Sequence, residues 1–286
     1  MRNTNFNLNL VQKLIKKQDF VLIMENACTD ILRVLTDRKH IVFVSRGNSA
    51  ILSVLKLVKH LGYTDVLMQD QGGWITYPQF IEKLKLTEIR LKTNHGFIDV
   101  ADLKNHKKSV LLINSMSGYF ALQSMNPVFE ECKKNNVLLI NDVAGSIGTE
   151  EAKIGDVIIG SFGKWKPLNV EEGGFLATDN DEHYKFLKDF EVEIDFAKLL
   201  IKLENLKDKL AFFIDHNKKI KADLSDYNIV HKKEHGFNVV VKYSSDQEKE
   251  NLIKYCQQNG YEFVECPKYI RILEDAISIE VKRLDN

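Results

Sequence analysis

From residue 40 onward, short β-branched runs alternate with stretches whose apolar positions recur every three or four residues. Residues 40–45 read as a strand and 50–61 as a helix, with Ile51, Leu52, Val54, Leu55, Val58 and Leu61 on one side; 65–69 read as the next strand. The rhythm continues with a helix at 78–86, an extended segment at 87–92, a helix at 99–105, a strand at 109–114, a helix at 127–135 and strands at 137–142 and 155–161. Alternation of this kind predicts parallel β/α units. Residues 110–113 and 137–140 are apolar without interruption, so both faces of those strands are expected to be buried, as in a sheet covered by helices.

After residue 178 the texture changes. Residues 191–213 carry apolar side chains at 196, 199, 200, 203, 206 and 210, the spacing of one long helix. A polar segment at 216–235 follows, then a strand at 237–241, a helix at 246–259 and strands at 261–264 and 276–281. The pattern therefore divides the chain into a large α/β domain over residues 1–190 and a linking helix with a small α+β domain over 191–286.

Composition narrows the classes. Forty basic residues balance forty acidic ones among 286, so no net field points to a nucleic acid or an anionic membrane as partner. Only seven of the forty are Arg, which makes lysine common everywhere. Cys28, Cys132, Cys256 and Cys266 are scattered, as suits a reducing compartment. The first residues lack a signal-peptide core and the longest apolar runs are strand length, so a soluble, cytoplasmic protein is expected.

The candidate chemistry lies between residues 141 and 174. Asp142 closes one apolar strand; Ser161 closes the next and is followed by Lys164, Lys166 and the pair Gly173, Gly174. That order suggests a pyridoxal 5'-phosphate site, which needs a carboxylate for the ring nitrogen, a lysine for the Schiff base and small donors for the phosphate. Gly47, Asn48 and Ser49 form a turn opening the helix at 50, where unpaired N–H groups welcome an anion; an ordinary N-cap reads equally well. Trp74, after Gly72 and Gly73, offers a face for a flat heterocycle or simply packs. His231 and His235 match the spacing H-x-x-E-H, but a polar segment meeting Gly236 reads as a solvated charge run, and no metal is expected.

Taken in order, these elements resemble the large domain of fold-type I pyridoxal phosphate enzymes, in particular the DegT/DnrJ/EryC1/StrS aminotransferase family, over residues 40–182. The resemblance implies a mostly parallel, seven-stranded sheet flanked by helices, a homodimer, and an amino donor and carbonyl acceptor, such as a sugar or small keto compound, as substrates. Asn141, Asp142, Val143 and Ala144 are similar to the family's acid strand, which assigns the ring nitrogen to Asp142. Ser161 and Phe162 leading to Lys166 and then Glu172, Gly173 and Gly174 resemble its lysine segment. Lys166 has the family's spacing; Lys164 has that of other fold-type I families and is held as the second candidate.

Two departures stand out. The family's glutamine, three residues after the aspartate and in contact with the cofactor's ring hydroxyl, is here Gly145, with Ser146 as the candidate substitute. The family's Gly-x-Asn-x-Arg segment has no counterpart over 181–202. The expected activity is an aminotransferase in which Lys166 moves a proton between substrate Cα and cofactor C4′, with Gly47, Asn48, Ser49 and Ser161 at the phosphate. The alternatives are a lyase or desulfurase of the same fold, and a non-catalytic binding module.

Overall fold

The apolar runs become the strands of one sheet. The computed structural model describes residues 8–284. Its large sheet comprises β1 (His40–Val44), β2 (Asp65–Gln69), β3 (Thr87–Leu91), β4 (Val110–Asn114), β5 (Leu138–Asp142), β6 (Val157–Ser161) and β7 (Gly174–Thr178). The spatial order is β1-β7-β6-β5-β4-β2-β3. β7 runs antiparallel to both neighbours and every other pairing is parallel.

Alternate residues of each strand face opposite layers, which is why the central runs are apolar throughout. Val42, Val66, Met68, Leu112, Ile140 and Ile159 meet α2 (Gly47–His60), α3 (Thr76–Lys83) and α5 (Asp181–Lys188). On the other face Phe43, Ile158 and Phe175 meet α1 (Leu8–Thr36) and α6 (Phe196–Glu204), and Leu111, Ile113 and Leu139 meet α4 (Met125–Asn135). Each such side chain taken from water contributes roughly 1.5–3 kcal/mol before entropy is charged against it. The short helix expected at 99–105 is a 3-10 helix, Val100–Asn105, capped by the Asp99 carboxylate accepting from the Ala101 N–H.

The single long helix expected over 191–213 is two. α6 ends at Glu204 and α7 (Leu206–Asp223) starts two residues on; between them the Asn205 side-chain amide donates to the Ile201 carbonyl at 2.7 Å. The break has a packing cause. Phe196, Leu199, Leu203 and Leu206 serve the large sheet, whereas Phe213 and Ile220 serve the small one, so one periodic stripe has to face two cores. α7 also runs on to Asp223, into the polar segment that begins at 216. The 29-residue α1 has no counterpart in the sequence expectations. Cys28 and Leu32 are buried but Phe20, Leu22, Ile23 and Val34 are exposed, and apolar residues on both sides blur its period.

The small sheet, β8 (Asn228–Ile229), β9 (Val239–Lys242), β10 (Phe263–Cys266) and β11 (Ala276–Ile279), is antiparallel in the order β8-β9-β11-β10. α7 and α8 (Asp246–Gln258) cover it. It is tied to the large domain through a hairpin that pairs Met116–Ser117 with Ala121–Leu122. The Phe237 and Asn238 amides each donate to the Tyr119 carbonyl at 2.8 Å, and the Leu122 amide donates to the His235 carbonyl at 2.8 Å. Among the described residues no helix is long and apolar enough to cross a membrane.

Candidate active site

β5 ends in the middle of the sheet, with Asp142 opposite Asn114 of β4 and Ile159 of β6. Ligands of open α/β sheets bind at this carboxyl edge. The Asp142 side chain is almost wholly buried, at 6% exposure. Its Oδ2 accepts from the Tyr77 hydroxyl at 2.6 Å and its Oδ1 from the Ala144 N–H at 2.9 Å. Burial pushes this carboxyl above the usual range, while those two hydrogen bonds and the attraction of Lys166 work the other way.

β6 delivers Ser161 to the same edge, and the loop that follows sorts the two lysines. The Lys166 N–H bonds the Gly163 carbonyl at 3.3 Å and Trp165 takes φ 63, a tight turn that sends Lys164 outward and Lys166 inward. Lys164 is exposed at the rim; Lys166 is 7% exposed. The Lys166 Nζ donates to the Tyr119 hydroxyl and lies 4.5 Å from the ring centres of both Trp74 and Tyr119. Burial brings this amine down to about 8, against the raising pull of Asp142 and with Arg271 adding to the fall. A lysine so placed is a far better nucleophile near neutral pH than one in water.

The third element is the start of α2, which carries no side-chain cap. A Cβ on Gly47 would fall 2.6 Å from both Cβ and Oγ of Ser161, so only glycine lets the helix start come this close to the serine. Ser161 Oγ accepts from the Gly163 N–H at 3.2 Å. Asn48 Oδ1 accepts from the Trp74 indole at 3.0 Å and the Thr76 hydroxyl at 3.3 Å, fixing the ring's orientation.

These groups wall a cleft of about 330 Å³, lined by Asp142, Lys166, Gly47, Asn48, Trp74 and Ser161. A buried carboxylate, an amine of lowered basicity, an aromatic face and an uncapped helix start form a donor set that fits pyridoxal phosphate. Three residues expected at the site do not line it. Ser49 bonds the Ser45 hydroxyl at 2.8 Å; Ser146 bonds that of Ser115 at 2.7 Å; and Gly145 lies against the Tyr119 ring. Ser146, the expected stand-in for the family's glutamine, is fully buried behind the cleft wall.

Tyr77 and Tyr119 are the site residues that motif reading missed, since a tyrosine in a helix or hairpin carries no distinguishing spacing. Arg271 lies in the loop before β11, 2% exposed, with Nε and Nη2 on the Glu280 carboxylate at 2.8 and 2.6 Å. Arg283 ends a 3-10 helix, pairs with Glu262 at 2.7 Å and covers Trp165 at 4.5 Å. His231 lies in a turn and His235 in irregular chain, the His231 ring stacking on Phe97 at 4.1 Å. Among the described residues no three His, Cys, Asp or Glu side chains converge as a metal site.

Solved structures share the fold at low identity. A DegT/DnrJ/EryC1/StrS aminotransferase from Brucella abortus is 13% identical with TM-score 0.72, over 98% of this chain and 94% of its own. NtdA from Bacillus subtilis with bound cofactor PMP is 16% identical with TM-score 0.69, over 91% and 73%. A 3-amino-5-hydroxybenzoic acid synthase is 14% identical with TM-score 0.69, over 92% and 86%. No curated protein matches the sequence. Residues 207–286 match the MJ1341 family C-terminal domain. Residues 17–193, more than half of the chain and the part that builds the cleft, match the DegT/DnrJ/EryC1/StrS aminotransferase family, and the chain belongs to it.

Proposed function

We propose that this chain is a pyridoxal 5'-phosphate-dependent aminotransferase in which Lys166, and not Lys164, joins the cofactor. The observation that carries the reading is the inward Lys166, its amine lowered in basicity and facing the buried Asp142 across one cleft. When bound, the cofactor supplies an electron-poor ring that draws on the bonds of the substrate's Cα. Asp142 holds the proton of the ring nitrogen; Tyr77 and Ala144 keep its carboxylate oriented for that task. Trp74 would offer its face to the cofactor ring, and the start of α2 with Ser161 would hold the phosphate. When the cofactor is bound, Lys166, with its lowered basicity, would be the group that takes and returns the proton at the substrate's Cα.

The substrates in this reading are a small-molecule amino donor and a carbonyl acceptor, a sugar or small keto compound, in a cytoplasmic homodimer built from a large domain over 1–190 and a smaller one over 191–286. The exposed Phe20, Leu22 and Ile23 of α1 supply an apolar face that a second subunit would cover. Among the described residues no cysteine lines the cleft, and burial pushes the Cys28 and Cys132 thiols up to about 12, which speaks against a desulfurase. The test is the visible spectrum of protein loaded with pyridoxal phosphate. Lys164→Ala should keep the wild-type band and Lys166→Ala should lose it; amino donors should then bleach the wild-type band by half-transamination. The opposite result for the two lysines would overturn the assignment.

A further inference from the structure

Gly145 stands where the family carries its glutamine, and the structure shows what fills the space. A Cβ at 145 would lie 2.9 Å from Cδ1 and Cε1 of Tyr119 and 3.3 Å from the Met116 Cβ, so a glutamine there and the tyrosine ring exclude one another. Tyr119 comes from the hairpin between the two domains, at a left-handed φ of 67. Its ring is buried and forms part of the cleft wall. Its hydroxyl oxygen accepts the hydrogen bond from Lys166 Nζ, and among the described residues no acceptor takes its own proton. A phenol O–H left over on the wall of a polar cleft is a donor for whatever enters.

We infer that Tyr119 takes over the work of the absent glutamine: its lone pair holds the Lys166 amine, and its O–H donates to the ring oxygen beside the carbon that Lys166 joins. This rests on the pyridoxal phosphate reading above. Behind the ring the small domain sets a cluster of charge. Lys282 Nζ lies 4.0 Å and the Arg271 guanidinium 5.9 Å from the ring centre. One carboxylate, Glu280, serves both, with two hydrogen bonds to Arg271 and only a 3.9 Å approach to Lys282. Burial and the charges of Asp142 and Glu280 push the phenol well above its ordinary value, with Arg271 working the other way, so the hydroxyl keeps its proton and stays a donor.

The readout is the pH midpoint of the visible absorbance of the loaded protein. A donor at the ring oxygen favours the deprotonated form of the cofactor–lysine link, which carries more negative charge on that oxygen. Tyr119→Phe keeps the ring and loses the donor, so the midpoint should rise by about one unit or more. Asp142, Lys282, Arg271 and Glu280, the charged groups that face Lys166 and Tyr119, are unchanged in this variant. Tyr119→Ala combined with Gly145→Gln removes the ring that blocks residue 145 and should bring the midpoint back toward the wild-type value, whereas Tyr119→Ala alone should not. An unmoved midpoint in Tyr119→Phe, or no rescue by the double variant, overturns the role of Tyr119 while leaving the cofactor assignment standing. A wild-type protein that takes up no cofactor and shows no visible band overturns the functional reading itself, and this role with it.

Discussion

Replacing Lys166 with methionine exchanges a buried amine for an apolar chain of similar length, and the structure gives the size and pH dependence of the effect. In the fold this amine titrates at about 8, against its ordinary 10.5. Between those values the unfolded chain holds a proton that the folded chain has released, so stability rises with pH; below them the folded state carries a charge in a place that disfavours it. At about 1.36 kcal/mol per unit, the charge costs the cofactor-free fold about 3 kcal/mol near neutral pH. Lys166→Met protein without cofactor should therefore be about 3 kcal/mol more stable than wild type at pH 7, the advantage shrinking to about 1 kcal/mol at pH 10. Lys221, also brought down by burial to about 8, is present in both proteins and drops out of the difference. Urea unfolding of both proteins across that pH range, followed by tryptophan fluorescence, measures it. A variant less stable than wild type at pH 7, or an advantage that does not fall as pH rises, would refute the claim that Lys166 is held at an energetic cost.

Two further outcomes follow from named contacts. Arg271→Ala leaves the buried Glu280 without its bidentate partner and should cost about 3–5 kcal/mol in urea unfolding; a loss below about 1 kcal/mol would mean that the cluster tolerates the uncompensated carboxylate. Gly47→Ala puts a Cβ 2.6 Å from the Ser161 hydroxyl, so it should cost about 1–3 kcal/mol and release bound cofactor on dialysis under conditions where wild type keeps its band. Full retention would remove the helix start from the phosphate site.

The strands of the large sheet were legible because burial on both faces leaves uninterrupted apolar runs, and residues 65–69 coincide with β2 to the residue. Asp142 and Ser161 were legible for a different reason, since each closes a strand, and Lys166 by its distance from Ser161, which resembles the family's spacing. Spacing alone left Lys164 and Lys166 both open; the turn at Trp165, a left-handed residue that no pattern announces, is what separates them. Tyr119 and Tyr77 stayed hidden because their roles depend on contacts 47 and 65 residues away. The break at Asn205 was hidden because periodicity reports that a face is apolar, not which core it meets.

The hairpin that carries Tyr119 is clasped from outside by the Phe237, Asn238 and His235 backbone, while the tip of the same residue grips the Lys166 amine. Any rocking of the small domain toward or away from the cleft must tug that residue at its main chain and so shift the amine at its far end. The setting of the small domain and the position of the lysine are thus geared together by a single side chain.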